Sequence, residues 1–208
     1  MDFPDFFSNA PTITLRDPLA AFLGAPKSGT ITYSYADAVK LSGHSCPTVA
    51  GTYLMVRRGL ACLYDNELPE RGGMEVYLRE QREQGTTGVI ATVAMLLTGA
   101  APETGFGGIG ANRRFARRGL LHFGAPIDGI LGLRRRDNGR GVVLDLDTTG
   151  VPPPPELQTY FPKAVAGAAD EIEQAYFGEL WQSRVARMLT DHADDADLIR
   201  AWDWKRAA

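Results

Sequence analysis

Cysteine is scarce in this chain, two in 208 residues, and that excludes a disulfide-knit scaffold. Charge of one sign is also lacking. A formal net charge of -3 offers no bulk attraction to nucleic acid or to an anionic membrane, so neither is expected as a partner. No run is apolar for long enough to span a bilayer. The opening Met1-Asp2-Phe3-Pro4-Asp5 has early acids and no apolar stretch behind a basic flank, so it does not read as a secretory signal. There is no internal repeat. These absences lead to the expectation of a globular protein in a reducing cytoplasm, where a free cysteine meets metal or chemistry more often than another cysteine. The length fits one substantial domain, or a domain with an extension, either large enough to bury a core.

Turn signals and periodicity divide the chain. Thr12-Ile13-Thr14-Leu15 and Thr30-Ile31-Thr32-Tyr33 read as paired strands, separated by the turn signal Pro26-Lys27-Ser28-Gly29. A short helix over 35–41 leads to a longer one over 48–64, with Val49, Tyr53, Leu54, Val56, Leu60 and Leu63 at roughly helical spacing. Its Gly51 and Gly59 each weaken a helix interior by about 1 kcal/mol, and they permit close approach of other backbone. Segment 73–80 alternates as a half-buried strand, and 88–97 is a continuous apolar run that reads as a buried helix. Segments 113–123, 127–136 and 141–147 read as strands, the last two joined antiparallel through Asp137-Asn138-Gly139, because Asn-Gly tolerates positive φ. Val151-Pro152-Pro153-Pro154-Pro155 then marks a boundary. Residues 1–150 form the expected α+β domain and 151–208 a helical extension, with helices over 164–191 and 194–204. Ile172, Ala175, Tyr176, Leu180, Val185, Met188 and Leu189 supply the apolar stripe of that extension, which packs on the core or on a second copy.

The chemistry concentrates in Gly43-His44-Ser45-Cys46-Pro47. Pro47 suits the first helical position, because its missing N–H is one that a helix start leaves unpaired. Cys46 then falls at the N-cap, where the exposed amides and the helix dipole favour thiolate over thiol. His44 is placed to coordinate the same ion or to accept the thiol proton. Isolated histidines and cysteines are usually structural, but a pair one residue apart at a helix start has a mechanism. Cys62, among apolar residues in mid-helix, reads as core. A transition metal normally takes three or four protein ligands. His122 in Leu120-Leu121-His122-Phe123 is the best remaining imidazole, since a strand could project it toward the motif helix; a core histidine is the equal alternative. Glu103 and Tyr53 are the candidate proton carriers, although Glu103 also reads as a solvated loop acid. His192, in an acidic stretch, reads as surface.

Two tempting patterns carry less. Gly105-Phe106-Gly107-Gly108-Ile109-Gly110 satisfies the G-x-G-x-x-G expression, but a dinucleotide site needs a strand before it and a helix after it, and neither is expected here. Arg113, Arg114, Arg117, Arg118 and Arg134-Arg135-Arg136 make a basic concentration. Strand alternation would scatter it over two faces, so a solvated face or salt bridges to the acidic C-terminal helices is the default, with anionic substrate second.

The motif followed by Ala50-Gly51-Thr52-Tyr53 resembles the signature of the FmdE family, named for a component of formylmethanofuran dehydrogenase. Leu68-Pro69-Glu70-Arg71-Gly72-Gly73, Thr87-Gly88-Val89-Ile90 with Leu97-Thr98-Gly99-Ala100, and Gly105-Phe106-Gly107-Gly108 are similar to that family in order and spacing, over roughly residues 19–147. The resemblance implies an α+β fold, with a mixed, largely antiparallel sheet and helices packed on it. It also implies a metal held by His44 and Cys46. Some members carry an Asp-x-Cys-x-x-Asp element, and Val89 and Thr92 stand here where its cysteine and second aspartate would be. A C-terminal cysteine-rich zinc module of some relatives is absent. Nothing resembles the molybdenum or tungsten component that oxidises formylmethanofuran, so that activity is not implied.

Three functions follow as expectations. The first is a metal-binding domain holding zinc, or another divalent transition metal such as nickel or iron, in an accessory or a hydrolytic or lyase role with a small-molecule substrate. The second is metal-free thiol chemistry with Cys46 as nucleophile and His44 as base. The third is a non-enzymatic homodimeric accessory protein.

Overall fold

The structure is a computed structural model that describes residues 2–204. A 3-10 turn at Asp5–Ser8 precedes β1 (Ile13–Arg16), α1 (Pro18–Leu23), β2 (Thr30–Tyr33), α2 (Tyr35–Ser42) and α3 (Pro47–Tyr64). β3 (Met74–Leu78), α4 (Thr87–Thr98), β4 (Leu121–His122), β5 (Leu131–Arg135) and β6 (Gly141–Leu146) follow. The chain closes with α5 (Leu157–Val165), α6 (Glu171–Leu189) and β7 (Ile199–Asp203). β1 and β2 form an antiparallel pair. The other strands make one mixed sheet in the order β4-β3-β5-β6-β7, antiparallel except for β3 with β4. This is the expected α+β architecture.

Alternation on the strands sorts the sheet into two faces. Met74, Val76, Leu78, Leu131, Leu133, Val142, Leu144 and Ile199 point into the main core with α3, α4 and the end of α6. Among the described residues, no helix packs on the opposite face. It has a smaller cluster of Ala125, Ile127 and Val143, with Tyr77, Trp202 and Trp204 against it. α3 is the central column of the core, and its two glycines explain their own cost. A β-carbon on Gly59 would lie 2.7 Å from Leu133 Cδ1 and 3.0 Å from Leu144 Cδ1, and one on Gly51 would lie 2.4 Å from Leu146 Cδ2. The helix seats directly on β5 and β6 because those positions have no side chain.

Four expectations change. Segment 194–204 is not a helix, because Ile199–Asp203 pairs with β6 and completes the sheet. Segment 164–191 is not one helix but the end of α5, a break, and α6, which Asp170 starts with a capping box to Glu173. Segment 113–123 is mainly turns, with strand only at Leu121–His122, since Arg113 and Phe115 adopt positive φ, 48° and 61°. α1 lies between the first two strands, started by Asp17 capping Leu19 N and Ala20 N.

The arginine runs also find other partners than the C-terminal helices. Arg117 is buried with Asp17, its Nη2 2.8 Å from Oδ1. Arg135 lies over Tyr64 and pairs with Glu67 and Asp137. Arg136 donates to the Gly72 carbonyl. The apolar stripe of α6 divides as well. Val185, Met188 and Leu189 are buried, whereas Ile172 and Tyr176 are exposed.

Candidate functional site

The motif is a tight corner between two helices. Gly43 ends α2 with a left-handed φ of 75°, its N–H returning to Val39 O, and Pro47 opens α3 directly after Cys46. Only His44, Ser45 and Cys46 span the change of direction. Cys46 is the N-cap, half-buried against the core, and its Sγ accepts the Val49 N–H at 3.5 Å.

His44 is exposed, with Nδ1 2.9 Å from the Ser42 carbonyl oxygen. A carbonyl only accepts, so Nδ1 carries the proton and, in the neutral ring, Nε2 keeps its lone pair. An imidazole tethered through one nitrogen to a backbone carbonyl presents the other as a ligand or base.

Ser45 anchors the corner, a role the sequence pattern does not reveal. Its Oγ donates to Gln182 Oε1 at 2.8 Å, so the Tyr35 hydroxyl, 2.9 Å away, donates to Ser45 Oγ. The Ser45 carbonyl accepts from Trp181 Nε1 at 3.0 Å and from Gln182 Nε2 at 3.2 Å. Tyr35 is fully buried, and burial raises its pKa above the ordinary phenol value, which keeps it a neutral donor. The N-terminal turn of α3 is thereby bolted to α6 and α2.

The remaining candidates lie elsewhere. His122 stacks on Tyr77 with ring centroids 4.7 Å apart, and both side chains belong to the sheet face that α3 does not cover. The expected projection toward the motif fails because strand alternation sends the imidazole the other way. Its Nε2 is buried with no hydrogen-bond partner among the described residues. Tyr53 is fully buried, its hydroxyl 2.7 Å from Pro11 O and 3.0 Å from Tyr33 O, and burial raises its pKa. It fastens α3 to the N-terminal segment. Glu103 is exposed on its loop, 3.0 Å from Arg82 Nη1, and its own backbone N–H, then Arg82, hold its carboxyl below the usual range. His192 pairs with Asp195 at 2.8 Å. Cys62 is half-buried against the core.

Among the described residues, no group of three or more His, Cys, Asp or Glu side chains is arranged to hold a metal ion. A closed four-ligand protein site therefore does not fit, and the corner supplies two donors of suitable chemistry, His44 Nε2 and Cys46 Sγ. No described helix is long and apolar enough to cross a membrane.

No family model matches the chain. No curated protein matches it either. Among solved structures, it is similar to the crystal structure of a tungsten formylmethanofuran dehydrogenase FmdE-like protein from Syntrophus aciditrophicus. The identity is 17%, the match covers 84% of this chain and 74% of that one, and the TM-score is 0.46. The likeness is remote, and the reading of the site rests on its own residues.

Proposed function

We propose that the corner is a two-donor binding point for a divalent transition metal, zinc first with nickel and iron as alternatives. His44 Nε2 and the Cys46 thiolate hold the ion, and water or a small-molecule ligand fills the positions the chain leaves open. The observation that supports this most is the His44 Nδ1 to Ser42 carbonyl bond, which fixes the tautomer a ligand needs. The Ser45 anchorage adds rigidity, so the two donors do not have to be ordered by the ion. Neither of the two expected proton carriers accompanies them, with Tyr53 sealed on backbone carbonyls and Glu103 held by Arg82. An accessory, metal-holding role is favoured over turnover on that ground. Titration of the reduced protein with cobalt is expected to give a thiolate-to-metal charge-transfer band saturating at one equivalent. Cys46→Ser abolishes the band and His44→Ala weakens binding by about tenfold or more. A protein that takes up cobalt without the band, or takes up none, overturns the reading.

A second reading has its own observation, the Val49 N–H on Cys46 Sγ. It makes Cys46 a metal-free nucleophile with His44 as its base. Alkylation by iodoacetamide in the presence of a chelator separates the two. Fast modification of Cys46 relative to Cys62, slowed by His44→Ala, favours the thiol reading, and equal slow rates exclude it.

The assembly we propose is a homodimer through the outer surface of α5 and α6. Phe161, Val165 and Ile172 are exposed there at 46%, 72% and 81%, an apolar group of the kind that marks a contact surface.

A further inference from the structure

The glycine-rich run at 105–110 and three of the arginines, Arg113, Arg114 and Arg118, have no part in the His44–Cys46 corner. The chain folds them into one tight hairpin. Ile109 and Arg114 exchange both backbone hydrogen bonds, at 2.8 and 3.0 Å, and the Phe106 carbonyl oxygen accepts from Arg117 N and Arg118 N at 2.8 and 3.1 Å. Two glycines permit that closeness. A β-carbon on Gly105 would lie 2.9 Å from the Arg118 backbone, and one on Gly108, where φ is 91°, would lie 2.4 Å from the Arg113 carbonyl oxygen. Arg113 and Phe115 hold positive φ inside the hairpin. Backbone strain of this kind persists only where the surroundings enforce it, and it gathers at binding sites.

The hairpin shows solvent an excess of donors and positive charge. Arg113, Arg114 and Arg118 are exposed, and among the described residues none of them pairs with a carboxylate. The acids of the region are already taken, Glu103 by Arg82 and Asp17 by Arg71 and Arg117. The backbone N–H groups of Phe106, Gly107 and Gly108 have no acceptor among the described residues. Beside them lies the Arg118 guanidinium, its Nη2 3.7 Å from where a β-carbon on Gly107 would stand. Aromatic rings complete the surface. The Arg114 guanidinium is 4.7 Å from the Phe115 ring centroid and 5.5 Å from that of Phe22, which reaches the hairpin from α1. Phe22 is still exposed at 55%, and Phe106 at 44%.

We propose that this hairpin, together with the end of α1, binds single-stranded nucleic acid. Phosphates meet the three guanidiniums and the free N–H groups, and bases stack on Phe22 and Phe106. The net charge of -3 is a sum over the whole chain, and charges more than about 8 Å away are largely screened at physiological salt. Strand alternation does not divide Arg113, Arg114 and Arg118, because no strand forms before Leu121. A duplex keeps its base faces in the stack and meets the cations alone. An acidic peptide does the same and leaves the exposed rings without a role. No residue of this surface belongs to the His44–Cys46 corner, so it stands whether or not the corner holds metal.

Fluorescence anisotropy of a short labelled oligothymidylate, titrated with the full chain at several salt concentrations, tests this. The logarithm of the binding constant is expected to fall with the logarithm of salt at a slope of about -2, the value for three phosphates on a single strand. Arg113→Gln with Arg118→Gln reduces the slope to about -0.7. Phe22→Ala and Phe106→Ala each weaken binding by about tenfold, the loss of one base stack, and leave the slope unchanged. All four positions are exposed, so the variants are expected to fold, and thermal unfolding checks that they do. A duplex of the same length binds more weakly and ignores the phenylalanine changes. Absence of oligonucleotide binding, binding that survives the arginine changes, or binding indifferent to both phenylalanine changes overturns the proposal. Tighter binding to poly-glutamate or to phosphatidylserine vesicles overturns it too, and assigns the surface to an acidic protein or a membrane.

Discussion

Asp17 joins more of the chain than any of the candidate site residues does. One carboxylate, 3% exposed, caps α1 and receives Arg71 Nη1 at 2.9 Å and Arg117 Nη2 at 2.8 Å. Those arginines come from the loop before β3 and the loop before β4. Both also hold backbone, Arg71 on Leu96 O and Arg117 on Arg71 O. Burial pushes the Asp17 carboxyl up, but the Arg71 bond, the Ala20 N–H and the charges of both arginines outweigh it and leave the pKa lowered. A carboxylate with a lowered folded pKa stabilises above its unfolded value, near about 4. That contribution disappears as pH falls through the folded value. Asp17→Asn retains an oxygen for capping but strands two partly buried guanidiniums. A loss of about 3 kcal/mol at neutral pH is expected from urea unfolding, the low end for a broken buried pair because Arg71 keeps some solvent. The gap between wild type and variant should narrow as pH falls below about 4. A gap that is absent at pH 7, or that widens in acid, contradicts the assignment.

Elements are legible in the sequence where local signals agree with tertiary packing. α3 is the clearest case, since Pro47, the N-cap cysteine and the apolar spacing all give the helix that forms. The β5–β6 hairpin follows from Asn138-Gly139 in the same way. β7 escapes a local reading because its pairing with β6 lies more than fifty residues away in sequence, and five residues carry too little period to choose strand over helix. The site divides along the same line. His44, Cys46 and the cap can be read locally, whereas the Ser45 anchorage depends on Trp181 and Gln182, more than 130 residues on. The side of the sheet that His122 occupies is hidden for a related reason, since alternation fixes a face only once strand order is known. The α3 glycines give a test of packing at this scale. Gly59→Ala meets Leu133 and Leu144, both fully buried, and overpacking of about 1–3 kcal/mol outweighs the helix gain of about 1 kcal/mol. Gly51→Ala meets only Leu146, which is half-buried and so less enclosed than Leu133 and Leu144. Thermal unfolding should rank Gly59→Ala below Gly51→Ala, and the reverse order would show that α3 does not seat on β5 as described.

At the scale of the whole molecule, α6 does two things with its two halves. Val185, Met188 and Leu189 close the main core, while the first half and α5 pack mainly on each other and leave Val165 and Ile172 outside. Removing everything after Pro155 is therefore a poor test of assembly, because it deletes β7 and, outside it, the core residues Val185, Met188, Leu189 and Leu198 along with the exposed surface. Point substitutions isolate the surface. The double variant Val165→Glu with Ile172→Glu places charge on both exposed positions, and neither change leaves a cavity. Sedimentation equilibrium is expected to show wild type at twice the chain mass and the variant at one. Because the carboxylates stay in water, the isolated protomer should keep its far-ultraviolet circular dichroism and the Trp181 contact to Ser45, read as unchanged tryptophan emission. Wild type sedimenting as a single chain removes the dimer from the functional reading, and a variant that remains dimeric moves the contact to another face.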